Sequence, residues 1–293
     1  MCTNTRVGKS VTVVDIGSGS MKISVFKVSD DGSVGTVSHM ARGFRLCPKI
    51  GTNISDRKMR MTVGFLKNAI ALSKSNNSEK IVAVATQAAR EAPNFTDLQK
   101  MILNELGINL RTISGEQEAR LSAISARKIT KLDEFVSFDL GCGSVEVVEF
   151  KKKVKGAWSL PVSSLTLSQT CNLKSAEAVV ANAFDALKFH DNSIAKYPLL
   201  GSGGILRVAA LMINGKTRNT VSLDELQSLF DTIKDKTKDE MVALGVPKVR
   251  ADIFAYGLLI MLKLTEKVGS KEVAIVHGNL RLSLAFDFFG MLK

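Results

Sequence analysis

The sequence is poor in the residues that build disulfide frameworks and structural metal sites. Its four cysteines, at 2, 47, 142 and 171, lie far apart, no CxxC pair occurs, and only three histidines (39, 190, 277) stand elsewhere. That usage excludes a disulfide scaffold and a zinc module, and it suits a reducing cytosol. With five prolines and no low-complexity run, the chain shows no long linker. One tryptophan, two tyrosines and no reader motif make nucleic acid an unexpected partner. The most apolar stretch, IFAYGLLIML (253–262), has about half of the roughly 20 residues a membrane span needs, so it reads as a buried helix. The start, MCTNTRVGKS, lacks the apolar core of a signal peptide. A cytoplasmic protein without a membrane partner is expected.

What is present describes a folded α/β protein with a cationic surface. At 293 residues the chain has room for about two domains, and 45% hydrophobic with 23% charged residues is the composition of a packed fold. The net charge of +12 favours a polyanionic partner. Charge fixes the sign of that partner and not its shape.

VTVVD (11–15) and KISVFKV (22–28) are β-branched runs around Gly-Ser-Gly-Ser and predict a hairpin. Strands are also predicted at 80–85 and 109–113, with a helix over 56–74 between 28 and 80. A second helix is predicted from Thr96, where Thr96 and Gln99 have capping-box spacing, to Gly107. In the second half, Ser114 and Gln117 predict a helix start at 114, and strands follow at 134–138, 145–150 and 158–160. Ser222 and Glu225 predict a capped helix toward Lys234. Pro247 predicts the first turn of a helix that stops at Gly269. EVAIV (272–276) and a final helix over 279–292 complete an alternation that argues for α/β layers.

One repeat organises the chain. VVDIGSGSMKISVF (13–26) lies over SFDLGCGSVEVVEF (137–150) without a gap, so Asp15 falls on Asp139, Gly17 on Gly141, Gly19 on Gly143 and Ser20 on Ser144. Internal duplication is the simplest explanation. Each turn reads either as a hairpin whose glycines supply positive φ, or as a nest whose backbone N–H groups take a phosphate. In the second reading Gly17, Ser18, Gly19 and Ser20 face Gly141, Cys142, Gly143 and Ser144 across a cleft. Asp15 and Asp139 then stand where Mg2+ would bridge carboxylate and phosphate.

DIGSGSMKISVF, ATQAARE (85–91), ISGEQEAR (113–120), DLGCGSVEVV (139–148), LLGSGGILRVAA (199–210) and GVPKVRADIFAYGLLI (245–260) occur in one order over nearly the whole chain. Together they resemble the exopolyphosphatase/guanosine pentaphosphate phosphatase family, within the actin, hexokinase and heat-shock-chaperone ATPase superfamily. The resemblance implies two actin-like (ribonuclease-H-like) domains around a cleft, at 1–121 and 122–293, with the last helix packing back on the first. It implies a magnesium-dependent phosphohydrolase, often dimeric, acting on terminal phosphoanhydrides of polyphosphate or guanosine pentaphosphate.

By resemblance Glu118 is the base that orients the attacking water. The residue also lies in the first turn of a helix, where a carboxylate is favoured for stability alone. Asp139 and Glu146 match the family's magnesium carboxylates, and Glu146 shares a strand face with Ser144; Asp15 is the equivalent of Asp139. Arg90 matches a phosphate-contacting arginine, and a guanidinium suits that role. Lys22 occupies a position the family usually keeps basic. Gly201, Gly203 and Gly204 offer a helix N-terminus to an anion, or simply a tight strand-to-helix connection. KKKVK (151–155) reads as a solvated hairpin tip that extends a positive path.

The chain also departs from the pattern. Cys142 replaces a turn glycine, which would cost about 1–2 kcal/mol if positive φ is required and would bring a thiol toward the phosphate. Val145 replaces a threonine, Gly19 an asparagine, and Thr166 stands where the family has an arginine; HGNLRLSL (277–284) keeps Arg281 without the surrounding glycines. A catalytically weak polyphosphate- or nucleotide-binding relative is the alternative that the altered turn at Cys142 and the missing arginine raise. A sugar kinase finds no matching catalytic aspartate.

Overall fold

The computed structural model describes residues 6–215 and 218–292, so Cys2 lies outside the described residues. In chain order the elements are β1 (Ser10–Ile16), β2 (Ser20–Val28), β3 (Val34–Gly43), α1 (Asp56–Ser75), β4 (Lys80–Ala85), α2 (Gln87–Glu91), α3 (Phe95–Leu106) and β5 (Leu110–Thr112). Then come α4 (Gly115–Thr130), β6 (Glu134–Leu140), β7 (Val145–Lys151), β8 (Lys153–Leu160), α5 (Ser164–Thr170), α6 (Leu173–Phe184), β9 (Leu199–Gly203) and α7 (Gly204–Asn214). The chain ends with β10 (Thr220–Ser222), α8 (Leu223–Ile233), α9 (Lys238–Ala243), α10 (Phe254–Val268), β11 (Glu272–Ile275) and α11 (Leu280–Phe288). By its internal contacts the chain divides into two units, one of residues up to 114 with those from 280 on, the other of 115–279. Residues 115–121 group with the second unit because α4 packs on β6, β7 and β8. Residues 280–288 group with the first because α11 packs on β1 and β2.

The two sheets repeat one plan. The first has the order β3-β2-β1-β4-β5, and the second is β8-β7-β6-β9-β11 with β10 added at its edge. In each, the first three strands are antiparallel neighbours and the next two are parallel to the first. The duplication read in the sequence extends to register: Asp15 pairs with Lys22, and Asp139 with Glu146. Alternate residues of β6 and β7 serve the two faces of the second sheet. Val136, Phe138, Val145 and Val147 join the larger core, while Phe135, Val148 and Phe150 pack with Ala119, Ala123 and Ala126 of α4. A strand buried on both faces has this near-continuous apolar character.

Several local expectations differ from the structure. The helix expected from Thr96 starts at Phe95, and its N-cap Asn94 makes no side-chain capping bond. The Asn94 amide instead bridges the backbone of Ile54, and Gln99 donates to the Leu110 carbonyl, so Thr96 and Gln99 form no capping box. The stop at Gly107 is left-handed (φ 65°), as a glycine C-terminus favours. The helix expected from Pro247 begins at Phe254, because Arg250 and Ile253 close successive three-residue turns onto Pro247 and Arg250 before the α-helical ladder starts. The final helix ends at Phe288, ahead of Gly290 with φ 64°. The Ser222–Glu225 box forms in full. KKKVK is not wholly solvated: Lys152 turns the hairpin at φ 61°, but Lys151 Nζ lies 2.6 Å from Asp191 Oδ2. Its hydrogen bonds to Asp191 and Tyr197 hold the Lys151 ammonium well above its ordinary pKa.

Candidate active site

The two glycine turns have the same construction. Gly17 N donates to Ser20 O at 2.9 Å, and Gly141 N to Ser144 O at 3.1 Å. No residue of either turn is among the described residues with positive φ, so the expectation that these glycines, or Cys142, need left-handed backbone is incorrect. Glycine is required for space instead. A Cβ would lie 3.3 Å from Ser20 O at Gly17 and 3.0 Å from Ser144 O at Gly141. Cys142 therefore carries no left-handed strain, and its side chain packs against the apolar core of the second unit.

In the first unit the turn is tied to its neighbours. Ser18 is buried and its hydroxyl accepts from Ala88 N at 3.2 Å, at the start of α2. Asp15 Oδ2 lies 3.7 Å from Lys22 Nζ, so the carboxylate expected to hold metal already has a cation beside it. Arg90, on α2, donates through Nη1 to the Ile113 carbonyl at 2.7 Å, which fixes the guanidinium at the end of β5. Glu91, next to it, accepts from Gln87 Nε2 at 2.8 Å.

In the second unit the position of Lys22 is taken by Glu146, 124 residues on. Glu146 is 2% exposed, and its Oε1 accepts from Ser144 Oγ at 2.6 Å and from Ser159 Oγ at 2.9 Å. Asp139 and Glu146, paired across β6 and β7, line one recess with Ser137, Ser202 and Ser122. Its volume of about 10 Å³ is room for about one water. Ser122 Oγ is buried there without a hydrogen-bond partner, a sign that the recess takes a polar occupant. Glu118 is half-buried and four residues before Ser122 on α4, hence on the same helix face. Glu116, by contrast, is exposed and paired with Arg120.

Two serines that hold this arrangement were missed in the sequence. Ser159 reaches Glu146 only through the β7–β8 register. Ser163 N-caps α5, closes a capping box with Thr166, and donates to the Cys142 carbonyl at 2.6 Å. The S-x-x-T spacing of Ser163 and Thr166 was the available signal. Thr166, where the resemblance puts an arginine, thus anchors the second turn. Arg207 on α7 is within electrostatic reach of Asp139 and Arg250.

The glycines of β9 and α7 divide by role. Gly201 is packing: a Cβ there would meet Leu206 at 2.4 Å and Phe138 at 2.7 Å. Gly203, at φ 127°, N-caps α7 without a side-chain bond, which leaves first-turn N–H groups for an anion. Gly204 lies under Arg250, whose Nη2 a Cβ would meet at 2.6 Å. Because Gly203 combines positive φ with a Cβ position 2.5 Å from Leu140 O, Gly203→Ala should destabilise by at least about 2 kcal/mol. Gly35→Ala, where a Cβ meets nothing within 4 Å, should change the melting temperature little; equal melting temperatures for the two variants would contradict the strain argument.

Residues 24–289 match the description of the Ppx/GppA phosphatase family. The chain belongs to that family. A guanosine-5'-triphosphate,3'-diphosphate pyrophosphatase of Pseudoalteromonas atlantica is 25% identical over 324 residues, covering all of this chain and 61% of that protein. Exopolyphosphatase 1 of Mycobacterium tuberculosis is 25% identical over 162 residues, covering 54% of this chain and 47% of that protein. The chain thus spans less than two thirds of the length of these Ppx/GppA relatives. In fold it is similar to the Aquifex aeolicus Ppx/GppA enzyme, at TM-score 0.82, 23% identity and coverage of 95% of this chain and 99% of that one. It is likewise similar to an exopolyphosphatase of Cytophaga hutchinsonii, at TM-score 0.84, 18% identity and coverage of 97% and 99%. The fold is therefore the two-domain α/β architecture of Ppx/GppA proteins. Among the described residues no helix is long and apolar enough to cross a membrane.

Proposed function

We propose that this Ppx/GppA protein is a Mg2+-dependent phosphohydrolase that removes the terminal phosphate of polyphosphate or of a guanosine pentaphosphate. The observation that carries the proposal is the recess of the second unit, lined by Asp139, Glu146 and Ser122, with Glu118 one helical turn before Ser122 on α4. The site fits Mg2+: two hard carboxylates, a buried orphan hydroxyl and space for water suit an ion that keeps waters and takes one or two carboxylates. Among the described residues no group of three His, Cys, Asp or Glu side chains forms a fuller cage. Bound there, the ion would neutralise charge on the phosphate oxygens.

The chain's own residues supply the rest. Glu118 accepts a proton from water as the water oxygen bonds to the terminal phosphorus, and the bridging P–O bond breaks to release the shortened chain. Ser144 and Ser159 hold Glu146 in place, and Ser163 fixes the turn through Cys142 O. In the first unit, Lys22 offsets Asp15, leaving the turn N–H groups and Arg90 as the anion-binding set. Asp15 is thereby assigned to orienting Lys22, with the metal role falling to Asp139 and Glu146.

A cytoplasmic location and pairing into homodimers belong to the same reading. The binding-only alternative keeps one ground, the threonine at 166 in place of an arginine. Phosphate release from tripolyphosphate, long-chain polyphosphate and guanosine pentaphosphate, with Mg2+ and with EDTA, separates the two. Mg2+-dependent release from at least one is expected; binding without release from all three would replace hydrolysis with sensing.

A further inference from the structure

The three hydroxyl side chains of α4 are held differently. Thr130 Oγ1 donates back to the Ala126 carbonyl at 2.9 Å, a common resort of a hydroxyl inside a helix. Ser125 Oγ accepts from Asn279 N at 2.9 Å. Ser122 Oγ does neither. It is buried with no hydrogen-bond partner, in a residue that lines the recess of Asp139 and Glu146. Buried polar groups are satisfied almost throughout native proteins, so this hydroxyl points to an occupant.

The size and lining of the recess determine what that occupant is. A volume of about 10 Å³ admits about one water, whereas Mg2+ keeps several waters and its shell does not fit inside. Ala119, Ala126, Val148, Leu200 and Val276 give the recess apolar walls, and a hydrogen bond made between such walls is strengthened. The polar lining is Ser122, Ser137, Ser202, Asp139 and Glu146. Glu146 Oε1 already accepts from Ser144 and Ser159, and Ser202 Oγ donates to Phe138 O at 3.4 Å. Ser122 therefore brings an unused O–H, Asp139 a carboxylate and Ser202 an acceptor oxygen. A buried water typically makes about three hydrogen bonds, which is this number of partners.

We propose that Ser122 is a positioning residue: its hydroxyl donates to one buried water, which in turn donates to the Asp139 carboxylate and to Ser202 Oγ. The water ties α4, which carries Glu118, to β6, which carries Asp139. Ser122 thus fixes the carboxylate assigned to the metal relative to the carboxylate assigned to the attacking water, and touches neither reactant. The inference rests on the metal role proposed for Asp139 and adds a residue to that site. A serine of purely structural importance predicts the opposite sign in stability, because losing an unpaired buried hydroxyl and gaining alanine in mid-helix both favour the fold.

The test combines thermal melting in EDTA with Mn2+ titration read by electron paramagnetic resonance, neither of which depends on turnover. Ser122→Ala leaves the water one partner short. It should lower the melting temperature by roughly 2–4 °C and weaken Mn2+ binding by about tenfold. Ser122→Gly opens room for a second water in place of the hydroxyl. It should melt below Ser122→Ala, as glycine in a helix does, yet bind Mn2+ more nearly as wild type does. A merely structural role would rank the two variants in the same order by both readouts. Ser202→Ala, on β9, should weaken Mn2+ binding in the same direction, and it keeps the test open should the α4 variants not fold. A raised melting temperature in Ser122→Ala with unchanged Mn2+ affinity would overturn the inference, and so would equal Mn2+ losses in the alanine and glycine variants. Lowered melting of Ser122→Ala in a protein that binds no Mn2+ would leave the water in place but overturn its positioning role together with the metal site. Mn2+ affinity that depends on Ser122 in a protein that releases no phosphate would uphold the inference while overturning hydrolysis.

Discussion

Replacing Glu118 by glutamine is expected to slow phosphate release by about 10²–10⁴-fold, with melting temperature and polyphosphate binding nearly unchanged. The loss corresponds to roughly 3–5 kcal/mol of barrier, at 1.36 kcal/mol per tenfold. The comparison that decides its meaning is Glu116→Gln. Both carboxylates lie in the first turn of α4, so either change removes a similar stabilising interaction with the helix dipole, about 0.3–1 kcal/mol. Glu118 lies one turn before Ser122, which lines the acidic recess, whereas Glu116 is an exposed partner of Arg120. A stability contribution alone would therefore lower the two melting temperatures equally and spare turnover in both. Rates that fall together, or not at all, would remove Glu118 from the chemistry.

The second large effect is expected at Glu146. Glu146→Gln keeps an oxygen for the hydroxyls of Ser144 and Ser159 but removes the negative charge from a buried position. Phosphate release at fixed Mg2+ should fall by about 10²-fold or more, and the Mg2+ concentration for half-maximal rate should rise by at least about tenfold. Ser159→Ala deletes one of the two hydroxyls and should give a smaller shift in the same direction. If Glu146→Gln instead left the Mg2+ requirement unchanged and only lowered the melting temperature, the carboxylate would be a structural group held by its two serines.

Much of the fold was legible because it rests on local signals. The β-branched runs of β1, β2 and β4, the glycine stops at 107 and 269 and the Ser222 capping box carry their own physical cause. The 124-residue repeat carried further than the individual elements: the two duplicated hairpins lie in sheets of matching strand order, and Asp139 pairs with Glu146 as Asp15 does with Lys22. β3 left no such signal: it is exposed along nearly all its length, so its apolar residues do not alternate. The start of α10 was misplaced because a proline that can open a helix can equally open a run of three-residue turns.

The site was legible where one residue type meets one chemistry, as with the acidic and glycine positions of the repeat. It was illegible where pairing between strands does the work. Ser159 meets Glu146 through a strand pairing that no spacing along the chain announces. The same limit explains the error at Cys142. Its tolerance depends on a turn that needs space at Gly141 rather than positive φ at the cysteine.

The central claim is that the duplicated hairpins have separated in charge, the first pairing Asp15 with a lysine and the second pairing Asp139 with a glutamate. Counting bound Mn2+ by electron paramagnetic resonance in wild type, Asp15→Asn and Asp139→Asn tests it most directly. One site retained in Asp15→Asn and lost in Asp139→Asn is the predicted result. A site that survives Asp139→Asn and disappears with Asp15→Asn would contradict it.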